Sequence, residues 1–234
     1  MSFPVSEPSS PEPGKRSRRK EARPGELLDA ALDLFVEKGF AATRVEEVAA
    51  RAGVSKGTLF LYFPSKLELF KAVVRQNFGG RFREWEEELS RFEGSSADLL
   101  RLCFTVWWER IGATKAAGIT KLILSESGNF PEMAAFYRQE VIEVGEGLVQ
   151  RILQRGMDSG EFRPIEPRQG IYLVLTPMIF LMMWKHSVGM CAHSDVEFNL
   201  SPEEYIHMQV ENLLFGLCAR TPPAPLATAT PSSL

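Results

Sequence analysis

A chain of 234 residues is long enough for one large domain or two small ones, with room for a real core. Apolar residues at 44% and charged residues at 24% exclude a wholly disordered or collagen-like chain, and three cysteines (Cys103, Cys191, Cys218) with no CxxC pair suit a reducing cytoplasm rather than a disulfide scaffold. The net charge of −3 predicts no bulk attraction to nucleic acid or membrane, yet residues 15–75 carry 13 Lys/Arg against 8 Asp/Glu, while residues 76–234 carry 14 against 20.

In chain order, residues 1–22 hold Pro4, Pro8, Pro11 and Pro13 and the cluster Lys15, Arg16, Arg18, Arg19 and Lys20. With almost no apolar residues, this stretch predicts a disordered basic arm and lacks a secretory signal. Leu27, Leu28, Ala31, Leu32 and Phe35 mark the inner face of a first helix from about Pro24 to Lys38, stopped by Gly39. Thr43-Arg44-Val45-Glu46 reads as the capping box of a second helix, which Gly53 ends. Ser55 caps a short third helix that must finish before Pro64.

Ser65-Lys66-Leu67-Glu68 is a further box opening a fourth helix of some 23 residues, roughly 34 Å long. Its apolar stripe runs Leu67, Phe70, Val74, Phe78, Phe82, Trp85 and Leu89, and Gly79-Gly80 in its middle predicts a soft point. Further helices are expected at about 97–112, 115–126, 131–156, 168–190 and 202–219, the last opened by the box Ser201-Pro202-Glu203-Glu204. The most apolar stretch, Ile171 to Trp184, is 14 residues long, too short to span a membrane; it reads as a buried helix kinked at Pro177. The expected fold is all-α, about nine helices and no sheet. It divides into the arm (1–22), a helix-turn-helix domain (23–71), a larger helical domain (72–220) and a disordered proline-rich tail (221–234).

The second and third helices, joined by a tight Gly-containing turn, suit a DNA reader. Leu59 and Phe63 face inward, while Ser55, Lys56, Gly57 and Thr58 offer small, polar or cationic groups for close approach to phosphates and base edges. Composition alone would equally allow a plain helical hairpin. The stretch AALDLFVEKGFAATRVEEVAARAGVSKGTLFLYFPSKLELFKAVV, residues 30–74, resembles the N-terminal domain of the tetracycline-repressor (TetR) family. The matching positions include Phe35, Gly39, Thr43, Ala49, Ala52-Gly53-Val54, Ser55, Gly57, Leu59, Phe63 and Lys66.

The resemblance implies a homodimeric regulator, usually a repressor, that binds a palindromic double-stranded operator and is released by a small apolar or amphipathic effector. It implies DNA contacts by Thr43, Arg44, Ser55, Lys56, Gly57, Thr58 and Lys66. Phe60 stands where a tyrosine is usual, which leaves an apolar contact there and Tyr62 as a possible hydroxyl donor. The basic arm could add phosphate or minor-groove contacts.

For the rest of the chain, the resemblance implies a ligand cavity, for which Phe104, Trp107, Trp108, Tyr137, Met178 and Met182 are the candidates. It implies a four-helix subunit interface from the last two helices, through Ile171, Val174, Ile206, Val210, Leu213, Leu214 and Leu217; the same residues could equally pack within one chain. His186, Cys191, His193 and Asp195 lie close in sequence but lack paired ligand spacing, so no metal or cofactor is expected. No catalytic constellation stands out. A helical enzyme and a ligand-independent DNA-binding protein are the rival classes, and an activator would use the same parts as a repressor.

Overall fold

The computed structural model describes residues 14–187 and 200–218, with side chains from residue 24 onward. Among these residues there are nine helices and no strand; one isolated backbone pairing joins Phe162 to Cys218. The first three helices are α1 (Gly14–Lys38), α2 (Val45–Arg51) and α3 (Lys56–Tyr62). Gly39 and Gly53 follow α1 and α2 with φ of +87° and +67°, a region glycine enters without strain.

Two local expectations change. Helix α1 begins ten residues before Pro24, so the basic cluster Lys15–Lys20 lies on its first turns rather than in an arm. Lys, Arg, Glu and Ala are good helix formers, and Pro24 costs the helix one donor and some strain. The prolines that argued for disorder all precede Gly14 and, like the tail from Thr221, lie outside the described residues.

The cap of α2 also moves by one residue. The Thr43 hydroxyl turns inward, 2.7 Å from Gly39 O and 3.1 Å from Leu34 O, and Arg44 takes the cap position. Glu47, not Glu46, accepts the Arg44 N–H at 3.2 Å, which leaves Glu46 to pair with Lys56. Ser55, Ser65 and Ser201 cap as expected, accepting from Thr58, Glu68 and Glu204 N–H at 3.1 Å each. The reciprocal half of the box forms at Ser201, whereas Glu68 turns instead to Lys71.

Lys66–Val74, a widened turn Arg75–Gly79 and Gly80–Ser90 run end to end as one rod, α4. In the widened turn Asn77 is buried and donates its side-chain amide to Val73 O at 2.9 Å. The turn ends at Gly79-Gly80, the expected soft point. Next come α5 (Ser96–Trp107, extended by a wide turn Trp108–Gly112) and α6 (Ala117–Glu126). Helix α7 is built from Pro131–Tyr137, Arg138–Ile142 and Glu143–Asp158.

The last two helices are α8 (Pro167–Lys185) and α9 (Pro202–Leu217); α8 stops five residues short of the expected end. Phe35, Phe40 and Phe70 pack as a triad with ring centroids 5.5–5.8 Å apart, holding α1 against α4. The buried side chains run from this triad along α4 into the larger helical body as one continuous cluster. Gly118 brings α6 close to α1: a Cβ there would meet Val36 at 2.6 Å.

Candidate functional site

The outward side of α3 presents Lys56, Gly57, Phe60 and Leu61, with Leu59 fully buried beneath. Residues 57, 60 and 61 share a helix face by the three- and four-residue rule. Gly57 has no neighbour closer to a Cβ position than Ser55 Oγ at 3.7 Å, so its backbone lies open. Phe60 is 39% and Leu61 84% exposed. Exposing a leucine this fully on a folded head was not anticipated; its signal was available, since position 61 falls opposite the anchors Leu59 and Phe63 on a 3.6-residue period.

The polar candidates are partly committed to one another. Lys56 Nζ lies 2.6 Å from Glu46 and 5.8 Å from the Phe60 ring centroid, and the Ser55 and Thr58 hydroxyls are 2.9 Å apart. The Lys56 ammonium holds the Glu46 carboxyl below its ordinary range. Arg44 is exposed, and Tyr62 is half-buried with its ring tilted against Phe63.

Thr43 and Lys66 are placed differently from a phosphate-contacting pair. Thr43 is buried with its hydroxyl on Gly39 O and Leu34 O. Lys66 Nζ donates to Phe40 O (2.6 Å), Thr43 O (3.0 Å) and Ala41 O (3.2 Å) and sits 4.5 Å from the Phe40 ring. Burial pulls the Lys66 ammonium below its usual range. Both side chains therefore organise the loop 39–43 between α1 and α2. From the other side, Glu126 at the end of α6 accepts the N–H groups of Phe40 (2.8 Å) and Ala41 (2.9 Å). The Phe130 ring meets Phe40 edge-on at 4.9 Å.

A cavity of about 240 Å³ lies between α4, α5, α6, α7 and α8, slightly below the usual range of small-molecule sites. Four of the six expected lining residues, Trp107, Tyr137, Met178 and Met182, do line it. Phe104 and Trp108 do not. Phe104 is buried in the core, and the Trp108 indole donates to Glu203 at 3.0 Å under the Lys185 ammonium. Sequence reasoning missed the whole α4 wall, Phe78, Phe82 and Trp85. Their signal was the length of the α4 stripe, which continues well beyond what packing α1–α3 requires. Thr176 and Met178, on either side of Pro177, both reach the cavity.

Of the residues expected between subunits, Ile171, Val174, Ile206, Val210, Leu214 and Leu217 are buried within the chain, and Leu213 is half-buried against the same core. That is the alternative their spacing left open. What α8 and α9 present away from the cavity includes Leu173 and Met208, 49% and 40% exposed, while the exposed Tyr172 and Ile179 line the cavity itself. Helix α8 is apolar on nearly every side, so periodicity could not tell its inner face from its outer one. Of the four grouped His/Cys/Asp residues, Cys191, His193 and Asp195 lie outside the described residues. His186 is buried at the end of α8, with its Nδ1 3.3 Å from where a Cβ on Gly118 would sit.

Residues 27–73 match the family profile described as bacterial regulatory proteins, tetR family. The chain is 29% identical over 175 residues to the HTH-type transcriptional regulator RutR of Escherichia coli K12, covering 69% of this chain and 74% of that one. It is 30% identical over 161 residues to the HTH-type transcriptional repressor KstR2 of Rhodococcus jostii RHA1, covering 66% and 74%. The fold is similar to that of the transcriptional regulator FadR from Bacillus subtilis in complex with stearoyl-CoA. That likeness has a TM-score of 0.67 at 20% identity, over 82% of this chain and 98% of that one.

Proposed function

Because this chain belongs to the tetR family of bacterial regulatory proteins and is a transcriptional regulator of that family, we propose that it represses its targets by binding a palindromic operator as a homodimer, and that an effector with an apolar acyl-type chain releases it. The observation that carries the effector class is the cavity wall: aromatic rings of α4, Trp107 of α5 and methionines of α8 enclose it. The FadR structure, bound to an acyl-CoA, supports the same class. A DNA target implies the cytoplasm as the site of action. No described helix is long and apolar enough to cross a membrane.

On the DNA side, α3 enters the major groove with Gly57 allowing close approach. Phe60 and Leu61 meet thymine methyl groups, Arg44 and Lys56 reach phosphates or base edges, and Ser55, Thr58 and Tyr62 supply hydroxyls. Lys56 exchanges Glu46 for phosphate. Thr43 and Lys66 act indirectly, by holding the loop that aims α2 and α3. The outward stripe of α8 and α9 pairs with a second copy, which sets the two recognition helices on successive grooves about 34–36 Å apart.

The coupling runs through two walls of the cavity. Helix α4 contributes Phe78, Phe82 and Trp85 to the wall and Lys66 to the loop 39–43; α6 contributes Thr120 and Ile123 to the wall and Glu126 to the same loop. An effector that spreads α4 from α6 therefore shifts the loop and, with it, the spacing of the recognition helices. Effector and operator must weaken each other by the same factor.

The experiment is a footprint on the DNA upstream of the chain's own coding region, with a salt titration and Lys56→Ala alongside. A short palindromic footprint, weakened by the variant and released by an acyl ligand, is expected. A footprint indifferent to Lys56, or to every acyl ligand tried, refutes the corresponding half of the proposal.

A further inference from the structure

The charges around the cavity narrow the chemistry at the end of the effector's chain, an inference that rests on the acyl-chain reading above. The lining falls into two zones. Its floor is buried and apolar: Phe78, Phe82, Trp85, Trp107 and Met178 are each 2–7% exposed. Burial there pushes the Cys103 thiol and the Tyr137 phenol each up to about 12, so the floor disfavours a charged group. Its rim is open: Leu124, Ile142, Tyr172, Thr176 and Ile179 line the cavity and are all exposed. The mouth therefore lies between α6, α7 and α8, and an amphiphile enters tail-first with its head left at that mouth.

Glu146 carries the one charge among the described lining residues, which include no Lys, Arg or His. Ile142, Gly145 and Val149, three or four residues away on α7, also line the cavity, so Glu146 shares the face that α7 turns to it. Glu146 is half-buried rather than sealed in, and it has no hydrogen bond or ion pair with any described residue. The cations of the three rim helices do not offset it. Lys121, Arg138, Arg151, Arg155 and Lys185 are each bonded elsewhere. Arg168 precedes Thr176 by eight residues, roughly 12 Å of helix.

We infer that the effector's head is a cation of the alkylammonium type, seated at the mouth against Glu146 while its apolar chain fills the aromatic floor, and that the mouth turns away chains ending in a carboxylate. A cationic head meets a carboxylate that has no partner to give up. An anionic head loses hydration there and gains no counter-charge. Glu146 thereby selects among chains of equal length by the sign of the charge on the head.

The test is calorimetric titration of the full chain with octanoylcholine, methyl octanoate and octanoate, which share one acyl chain and carry a cationic, a neutral and an anionic head. The natural protein should bind octanoylcholine at least tenfold more tightly than octanoate, with the neutral ester between them. Added salt should weaken octanoylcholine and leave the ester unchanged. Glu146→Gln should weaken octanoylcholine roughly three- to tenfold, the range of a partly screened ion pair. The same variant should bind methyl octanoate as the natural protein does, which shows that its cavity is intact. Octanoate binding as tightly as octanoylcholine, or a preference that survives Glu146→Gln, overturns the inference while leaving the cavity as the acyl site. Binding of none of the three overturns both.

Discussion

Replacing Glu126 should uncouple the effector cavity from the DNA-binding helices. Its two carboxylate oxygens accept the N–H groups of Phe40 and Ala41 at 2.8 and 2.9 Å. A hydrogen bond to a charged acceptor contributes about 1.5–3 kcal/mol when its donor has no alternative. Phe40 is 4% exposed, so its bond counts nearly in full, while Ala41 is exposed and its N–H returns to water at little cost. Glu126→Ala therefore weakens the link between α6 and the loop by about 2 kcal/mol, and Glu126→Gln, which keeps one acceptor, by roughly half that. The assay is operator affinity with and without saturating effector. Allosteric couplings typically span about 5- to 150-fold, and a loss of about 2 kcal/mol corresponds to roughly 30-fold, enough to bring a mid-range coupling close to unity. Operator affinity without effector should change less. A melting temperature that falls while the coupling factor stays at its natural value would show that Glu126 only braces the fold and would refute this route.

Gly79→Ala with Gly80→Ala meets no atom within 4 Å of either new Cβ and adds up to about 2 kcal/mol of helix propensity. Calorimetry should show a higher melting temperature, and the effector should lose more of its effect than the operator loses affinity; equal changes in both would remove the soft-point reading. Leu173→Glu with Met208→Glu places charges on the outward stripe of α8 and α9 and should yield a folded monomer by light scattering, whereas Val174→Glu, at a fully buried position, should unfold the chain. Lys56→Ala should weaken operator binding without moving the melting temperature; Lys66→Met, which strips three backbone carbonyls of their donor, should lower both. His186 has its pKa lowered by burial and then by the nearby Lys185 and Lys121 charges. The unfolded chain therefore takes up this proton first as pH falls through about 6.5, and stability drops on acidification below that pH. His186→Gln should flatten the melting temperature between about pH 7 and 5, and an unchanged slope would count against the assignment.

How much of this was legible in the sequence depends on whether local chemistry or long-range packing decided it. Gly39 and Gly53 ended their helices because few other residues enter the left-handed region cheaply, and Ser55, Ser65 and Ser201 capped theirs because the partner amide lies three residues on. The helix-turn-helix and the family could be read from residues 30–74 for the same reason: many spaced positions each have a local cause. The start of α1 was misjudged because four prolines before Gly14 coloured the reading of good helix formers after it. Which apolar face turns where was a different matter. The expected cavity residues included Phe104 and Trp108, which do not line it, and left out Phe78, Phe82 and Trp85, which do, while Ile171 and Val174, expected between subunits, are buried within the chain. A helix that is apolar on most sides carries no signal for its inner face; only packing against neighbours distant in sequence supplies one. The loop 39–43 makes the point most sharply. Lys66, 23 to 26 residues away, and Glu126, 85 to 86 residues away, meet on its backbone. Neither partner is implied by anything within a helical turn of the loop, so only the tertiary structure could bring the two walls of the cavity to one loop.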